Sequence, residues 1–315
     1  MSDQSSSKDS LVLGFIGIGL MGNPMTKRLL NAGFQVNVWN RSPEKLTSVV
    51  EAGAKEKASV AELVAQSDVI MLCVSDTTAV HHVVFGETGI AASYEQALNQ
   101  QSQNPKAKTL IDFSSIDPEQ TRLMAVQLKE RTGIDWIDSP VSGGVAGAEQ
   151  GTLAIMCGGD AATIDSVLPV LEPLSQRVTR MGDVGSGQVT KICNQMIVSC
   201  NVLVMAEVMA MAEKAGVDSA QMPQALKGGF ADSIPLQLTG PRMAERDYDE
   251  VKWHVKTLLK DLDMANHLAK TMQSSIPMAG LGAELMRMHG SKGHMDSDPC
   301  TLIEQYLSVD AKDAN

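Results

Sequence analysis

Short apolar runs alternate with amphipathic stretches through the first half of the chain. Residues 11–16, 35–39, 69–74, 109–113, 136–139 and 153–157 are predicted as strands, several of them almost wholly apolar, as strands buried on both faces are. Residues 21–32, 43–52, 60–67, 77–85 and 118–131 carry helical patterns between them. This alternation predicts a parallel sheet covered on both faces. After the glycine-rich stretch 182–187 only helical periodicity remains. Residues 189–215 predict a helix about 40 Å long at 1.5 Å rise per residue, and shorter helices are expected at 219–226, 241–246, 254–271 and 277–289. The predicted fold class is α/β: a Rossmann-type, doubly wound domain over 11–184, joined by the long helix to an all-α domain over 185–315. Residues 1–10 are expected to be a short disordered lead-in, and the polar segment 96–108 a surface loop.

Composition narrows the function. The 315 residues are 43 % hydrophobic, enough for a normal core, and carry a net charge of −11. That charge repels polyphosphate, and the 3 % aromatic content leaves little for base stacking, so nucleic acid is not an expected partner. The five cysteines form no C-x-x-C pair and suit a reducing compartment. The first ten residues lack the features of a signal or transit peptide, so a cytoplasmic protein is expected. Residues 192–212 are apolar enough to suggest a membrane span, but Asn194, Gln195, Ser199 and Asn201 are costly in lipid, and a buried helix is expected instead. None of His81, His82, His254, His267, His289 and His294 sits in a zinc pattern, so no metal is expected. An apolar helix with so few charges needs more cover than one small domain gives, which predicts a homodimer or homotetramer.

Gly17-Ile18-Gly19-Leu20-Met21-Gly22 is a G-x-G-x-x-G between an apolar strand and a helix. In that context the first glycine permits a tight turn and the second lets backbone approach a pyrophosphate. The third allows close packing, while the helix N-terminus supplies NH donors. An ordinary βα turn is the bland alternative. The second strand ends in Trp39-Asn40-Arg41-Ser42, 18 residues past Gly22, where an NAD site carries an acid for the ribose 2′-OH. With the acid absent and Arg41 following, a 2′-phosphate is favoured, and NADP(H) is expected rather than NAD(H).

Asp138-Ser139-Pro140-Val141-Ser142-Gly143-Gly144 follows a strand. Its Ser-Gly-Gly can offer a hydroxyl and backbone NH groups to an anion, although composition alone equally describes a flexible turn. Gly187, Lys191, Asn194 and Gln195 share one face at the start of the long helix. Two readings are open for Lys191. It is a proton-transferring group, its pKa lowered by desolvation and a cationic nicotinamide, or it snorkels at a domain edge.

With these motifs in order, and Lys260-Asp261-Leu262 after them, the chain resembles the β-hydroxyacid dehydrogenase family over nearly its whole length. That family includes 3-hydroxyisobutyrate dehydrogenases and tartronate semialdehyde (2-hydroxy-3-oxopropionate) reductases. The resemblance implies hydride transfer between a nicotinamide and a small 3-hydroxy acid or its semialdehyde. It makes Lys191 the catalytic lysine, Asn194 the amide that orients it or the substrate, and Ser142, Gly143 and Gly144 the substrate carboxylate site. Lys260 approaches substrate and coenzyme, with Asp261 as its structural companion. Val74 and Ser75 form the ribose and pyrophosphate wall, and Ser115 stands near the nicotinamide. With the Trp39–Ser42 sequence, the resemblance leans to NADP(H)-using semialdehyde reductases. Residues 228–233 are a candidate lining for the far end of the substrate. Gln195 departs from the family's second Asn and is assigned no role. Imine reductases share the implied fold but usually carry another residue at the position of Lys191. A non-catalytic cofactor-binding protein is the reading from a different class.

Overall fold

The computed structural model describes residues 11–99 and 105–307; the expected lead-in at 1–10 lies outside the described residues. Nine strands among the described residues form one sheet: β1 (Val12–Ile16), β2 (Gln35–Trp39), β3 (Lys55–Glu56), β4 (Val69–Leu72), β5 (Thr109–Asp112), β6 (Asp135–Asp138), β7 (Val141–Ser142), β8 (Leu153–Gly158) and β9 (Ser175–Gly182). The order β3-β2-β1-β4-β5-β6 is parallel throughout and is the doubly wound order of dinucleotide-binding sheets.

The sheet is not wholly parallel, which corrects the sequence expectation. β8 joins β6 and β7 antiparallel and β9 parallel. Pro140, which has no NH to donate, separates β6 from β7 along one edge of β8. β9 reads SQRVTRMG and is largely exposed, so no apolar run betrays it. β3 consists of two exposed charged residues.

Alternation within the strands supplies two cores. Leu13, Phe15, Val36, Val38 and Met71 pack on Met25 and Leu29 of the helix Gly22–Asn31. Ile16, Ile70, Leu72 and Leu110 face Leu63, Val64, Val80, Val84 and Leu128 on the other side. At about 25 cal/mol per Å² of apolar surface removed from water, such double coverage is the main force holding the layers together.

The chain divides into two compact units, Met1–Lys191 and Ile192–Asn315. The division falls inside the helix Ser186–Lys214, past the 184/185 division expected from sequence, because the first turn of that helix is bonded into the sheet unit. In the second unit, Val202, Ala206 and Met209 join Leu258, Leu259 and Leu262 of the helix Val255–Thr271 and Ala279, Ala283 and Met286 of the helix Pro277–His289. Ile234–Glu245 is a single helix capped by Ser233, longer than the expected 241–246, with Pro241 tolerated inside it. Residues 96–99 continue the helix Ile90–Asn99 instead of opening a loop; 100–104 lie outside the described residues. By length and composition Ser186–Lys214 could cross a membrane; 44 % of its most apolar window is buried within the protein.

Candidate active site

Strand register brings the candidate loops to one edge. Ile16 pairs with Trp39 and Leu72, Leu72 with Asp112, and Asp112 with Asp138. The segments at Gly17, Asn40, Val74, Ser115 and Ser142 all leave this row within four residues, at the carboxyl ends of the strands, where open α/β sheets take their ligands.

The three motif glycines are there for different reasons. Gly17 has φ +97°, and a Cβ on it would lie 2.2 Å from the Cys73 carbonyl oxygen; one on Gly22 would lie 2.1 Å from the Gly17 oxygen. A Cβ on Gly19 would meet nothing within 4 Å, and Gly19 is outside the left-handed region. The fold therefore needs the outer glycines, whereas the middle one leaves open space beside exposed Leu20, as close approach of a pyrophosphate requires. Met21, half-buried, precedes the helix.

Asn40 braces this loop from the end of β2. Its Oδ1 accepts from the Ile18 NH at 3.0 Å and its Nδ2 donates to the Ser42 carbonyl at 2.9 Å. Arg41 is exposed and, among the described residues, forms no ion pair, so its guanidinium is available to an anion. These features fit a nicotinamide dinucleotide. Ser75 donates from Oγ to Asp76 Oδ2 at 2.6 Å, and Asp76 caps the helix Thr77–Phe85.

Residues that the sequence did not single out tie the loops together. Ser114 Oγ accepts from the Val74 NH at 3.0 Å, and the Ser114 NH donates to Asp112 Oδ1 at 2.9 Å. Gln188, fully buried, donates from Nε2 to the Ser114 carbonyl at 2.7 Å and accepts at Oε1 from the Ile116 NH at 3.1 Å. It thus holds the backbone on both sides of Ser115. The Gln188 NH donates to Asp138 Oδ2 at 2.9 Å, and the Gly185 NH to Asp138 Oδ1 at 2.7 Å. Asp138 thereby serves the first turn of the long helix as a capping carboxylate. Burial pushes its pKa up to about 6 against the lowering by these NH groups. Burial, with the Asp138 charge a smaller cause, pushes Asp112 up to about 7, and Asp112 Oδ2 has no hydrogen-bond partner.

Lys191, half-buried, stands three residues beyond Gln188 and is the last residue of the first unit. Gly143 and Gly144 are exposed at positive φ of 136° and 62°, beside half-buried Ser142 on β7.

Within the second unit, Asn194 Nδ2 donates to Gln195 Oε1 at 2.9 Å, and Gln195 Nε2 donates to the buried Asp261 at 2.5 Å. Lys260 Nζ lies 3.6 Å from Asp261 Oδ1. Gln195, assigned no role from sequence, is therefore the link between Asn194 and the Lys260-Asp261 pair. The extra methylene that marks its departure from the family pattern was the available signal.

Comparison with known proteins matches two family models. Residues 12–182 match the NAD binding domain of 6-phosphogluconate dehydrogenase, and residues 185–306 match the NAD-binding domain of NADP-dependent 3-hydroxyisobutyrate dehydrogenase. The 2-hydroxy-3-oxopropionate reductase of Escherichia coli is 37 % identical over 93 % of this chain and 96 % of its own. The 3-hydroxyisobutyrate dehydrogenase of Pseudomonas aeruginosa is 32 % identical over 95 % of this chain and 99 % of its own. Among solved structures, Mycobacterium tuberculosis 3-hydroxyisobutyrate dehydrogenase with L-serine superposes with a TM-score of 0.81 at 25 % identity, covering 95 % of this chain and 99 % of that one.

Proposed function

The chain belongs to the β-hydroxyacid dehydrogenase family, and from that premise we propose that it is an NADP(H)-dependent reductase of a small semialdehyde acid, with Lys191 as the proton-transferring group. It is an NAD(P)-dependent oxidoreductase acting on hydroxyl groups. The substrate class is 2-hydroxy-3-oxopropionate or the semialdehyde of 3-hydroxyisobutyrate, after the relatives that carry those names. The L-serine held by the Mycobacterium tuberculosis protein, itself a small 3-hydroxy acid, supports the same size and shape.

The observation that carries this reading is the position of Lys191. It follows by one helical turn the residue whose side chain grips the backbone on either side of Ser115. The nicotinamide supplies or accepts the hydride at the substrate carbon. Lys191 gives its ammonium proton to the carbonyl oxygen as that carbon is reduced, and as free amine it takes the hydroxyl proton in the reverse direction. Ser142, Gly143 and Gly144 hold the substrate carboxylate, and Asn194 orients the reacting oxygen. Lys260 adds positive charge to hold the anion. Gly17, Gly19, Leu20, Met21, Gly22, Asn40, Arg41, Ser42, Val74, Ser75 and Ser115 line the coenzyme, with Arg41 on its 2′-phosphate. The five free cysteines fit a cytoplasmic enzyme.

A spectrophotometric panel tests the proposal. NADPH and NADH are each offered with tartronate, methylmalonate and succinic semialdehydes. We expect NADPH to be preferred, Lys191→Ala to lose about a hundredfold or more in kcat, and Arg41→Asp to weaken NADPH selectively. Unimpaired turnover in Lys191→Ala overturns the proton-transfer role, and equal weakening of both coenzymes in Arg41→Asp overturns the 2′-phosphate contact.

A further inference from the structure

We propose that Gln188 is a positioning residue that sets the register between the Ser115 loop and the helical turn bearing Lys191. The inference rests on Lys191 as the proton-transferring group. Gln188 is buried, and its side-chain amide and backbone NH join segments far apart in the chain. Its amide makes a two-way clamp, donating to the Ser114 carbonyl and accepting from the Ile116 NH. Its backbone NH is held by Asp138, which also holds the Gly185 NH. Ser114 in turn fixes the Val74 NH and leans on Asp112. The ends of β4, β5 and β6 and the start of the long helix therefore meet in one hydrogen-bonded chain.

The packing leaves this turn little freedom. A Cβ on Gly187 would come within 2.3 Å of the Met156 carbonyl oxygen and 2.7 Å of the Asp138 oxygen, so the helix start lies against the sheet backbone itself. Sheet contact fixes how close the turn comes; the amide clamp fixes where the loop sits along it. A displacement of about 1 Å at the reacting centre can cost on the order of a hundredfold in rate. An ionised carboxylate of the same length cannot fill this place, because the group must donate in one direction and accept in the other, and a carboxylate only accepts.

The test compares Gln188→Met, Gln188→Glu and Lys191→Ala with the wild type, following kcat, KM, NADPH affinity and thermal unfolding. Gln188→Met keeps the volume and removes the clamp. We expect its kcat to fall about tenfold or more while NADPH affinity stays within about threefold. In Gln188→Glu the introduced carboxyl can donate to Ser114 and accept from Ile116 only when protonated. Its kcat relative to wild type at the same pH should therefore rise about tenfold or more between about pH 8 and pH 5.5. A merely structural role would lower the unfolding temperature without that recovery. A kcat for folded Gln188→Met within about twofold of wild type overturns the inference. So does a pH-independent ratio for Gln188→Glu, which decides the matter alone where Gln188→Met does not fold. If Lys191→Ala is inactive in these cases, the reading of Lys191 stands and only the positioning role fails; an active Lys191→Ala overturns both.

Discussion

At the scale of single residues, the two buried aspartates at the ends of β5 and β6 have the clearest consequence. Asp112 has a pKa of about 7 against 3.8 for the ordinary group, raised first by burial. The folded state thus holds its proton more tightly than the unfolded chain. The stability this contributes is fully present below about pH 4 and is lost as pH rises through about 7, at up to about 1.4 kcal/mol per pH unit. In Asp112→Asn the side-chain oxygen can still accept from the Ser114 NH, but no charge forms. We expect the variant's stability relative to wild type to climb as pH rises from about 4 to about 7, measured by urea unfolding at several pH values. A difference that stays flat would mean Asp112 does not titrate there. None of this was legible in the sequence, where Asp112 is one carboxylate among many, because burial is a property of the assembled sheet.

Among elements, the long helix shows what pattern reading can and cannot reach. Its apolar composition announced it within three residues at the N-terminal end. The anchoring of its first turn stayed hidden, since Asp138 is 47 residues from Gly185. A methyl group at position 187 has no room against the Met156 and Asp138 carbonyls, so Gly187→Ala should push this turn off the sheet. We expect a loss of about 1–3 kcal/mol in stability together with a fall in kcat; a variant matching wild type in both would show that the turn is not held there. Buried strands were legible because apolar runs mark them. β9 was not, because an exposed edge strand carrying Arg177 and Arg180 looks like a loop. Pro241 is a helix-start signal in the sequence and shortens the predicted helix to 241–246, whereas in the structure Ser233 caps the helix Ile234–Glu245 and Pro235 fills the N-terminal proline position. The glycine loop, Arg41 and Lys191 were visible as motifs; Asp138 stood in a motif without a role of its own, and Ser114 and Gln188 carried no signal, because their bonds reach across the fold.

At the scale of the whole molecule, Ile197, Val204 and Met211 recur every seven residues along the long helix and are 65 %, 47 % and 67 % exposed. Seven residues is close to two turns, so they form one apolar stripe. A second copy of the chain is the occupant expected from the sequence, as a dimer or tetramer. Replacing Ile197 and Met211 by Glu should shift the protein to a smaller species in sedimentation velocity. An unchanged sedimentation coefficient would place any subunit contact elsewhere. The course of the helix through the division at Lys191 has a practical corollary for anyone wishing to dissect the protein. A fragment cut at the sequence-motif boundary near residue 184 would discard the NH groups that satisfy Asp138 and the amide that closes on Ser114, stranding a carboxylate in the interior. The nucleotide-binding half can be excised cleanly only with its first helical turns still attached, so that severing the two halves by gene truncation cannot also separate coenzyme recognition from the lysine.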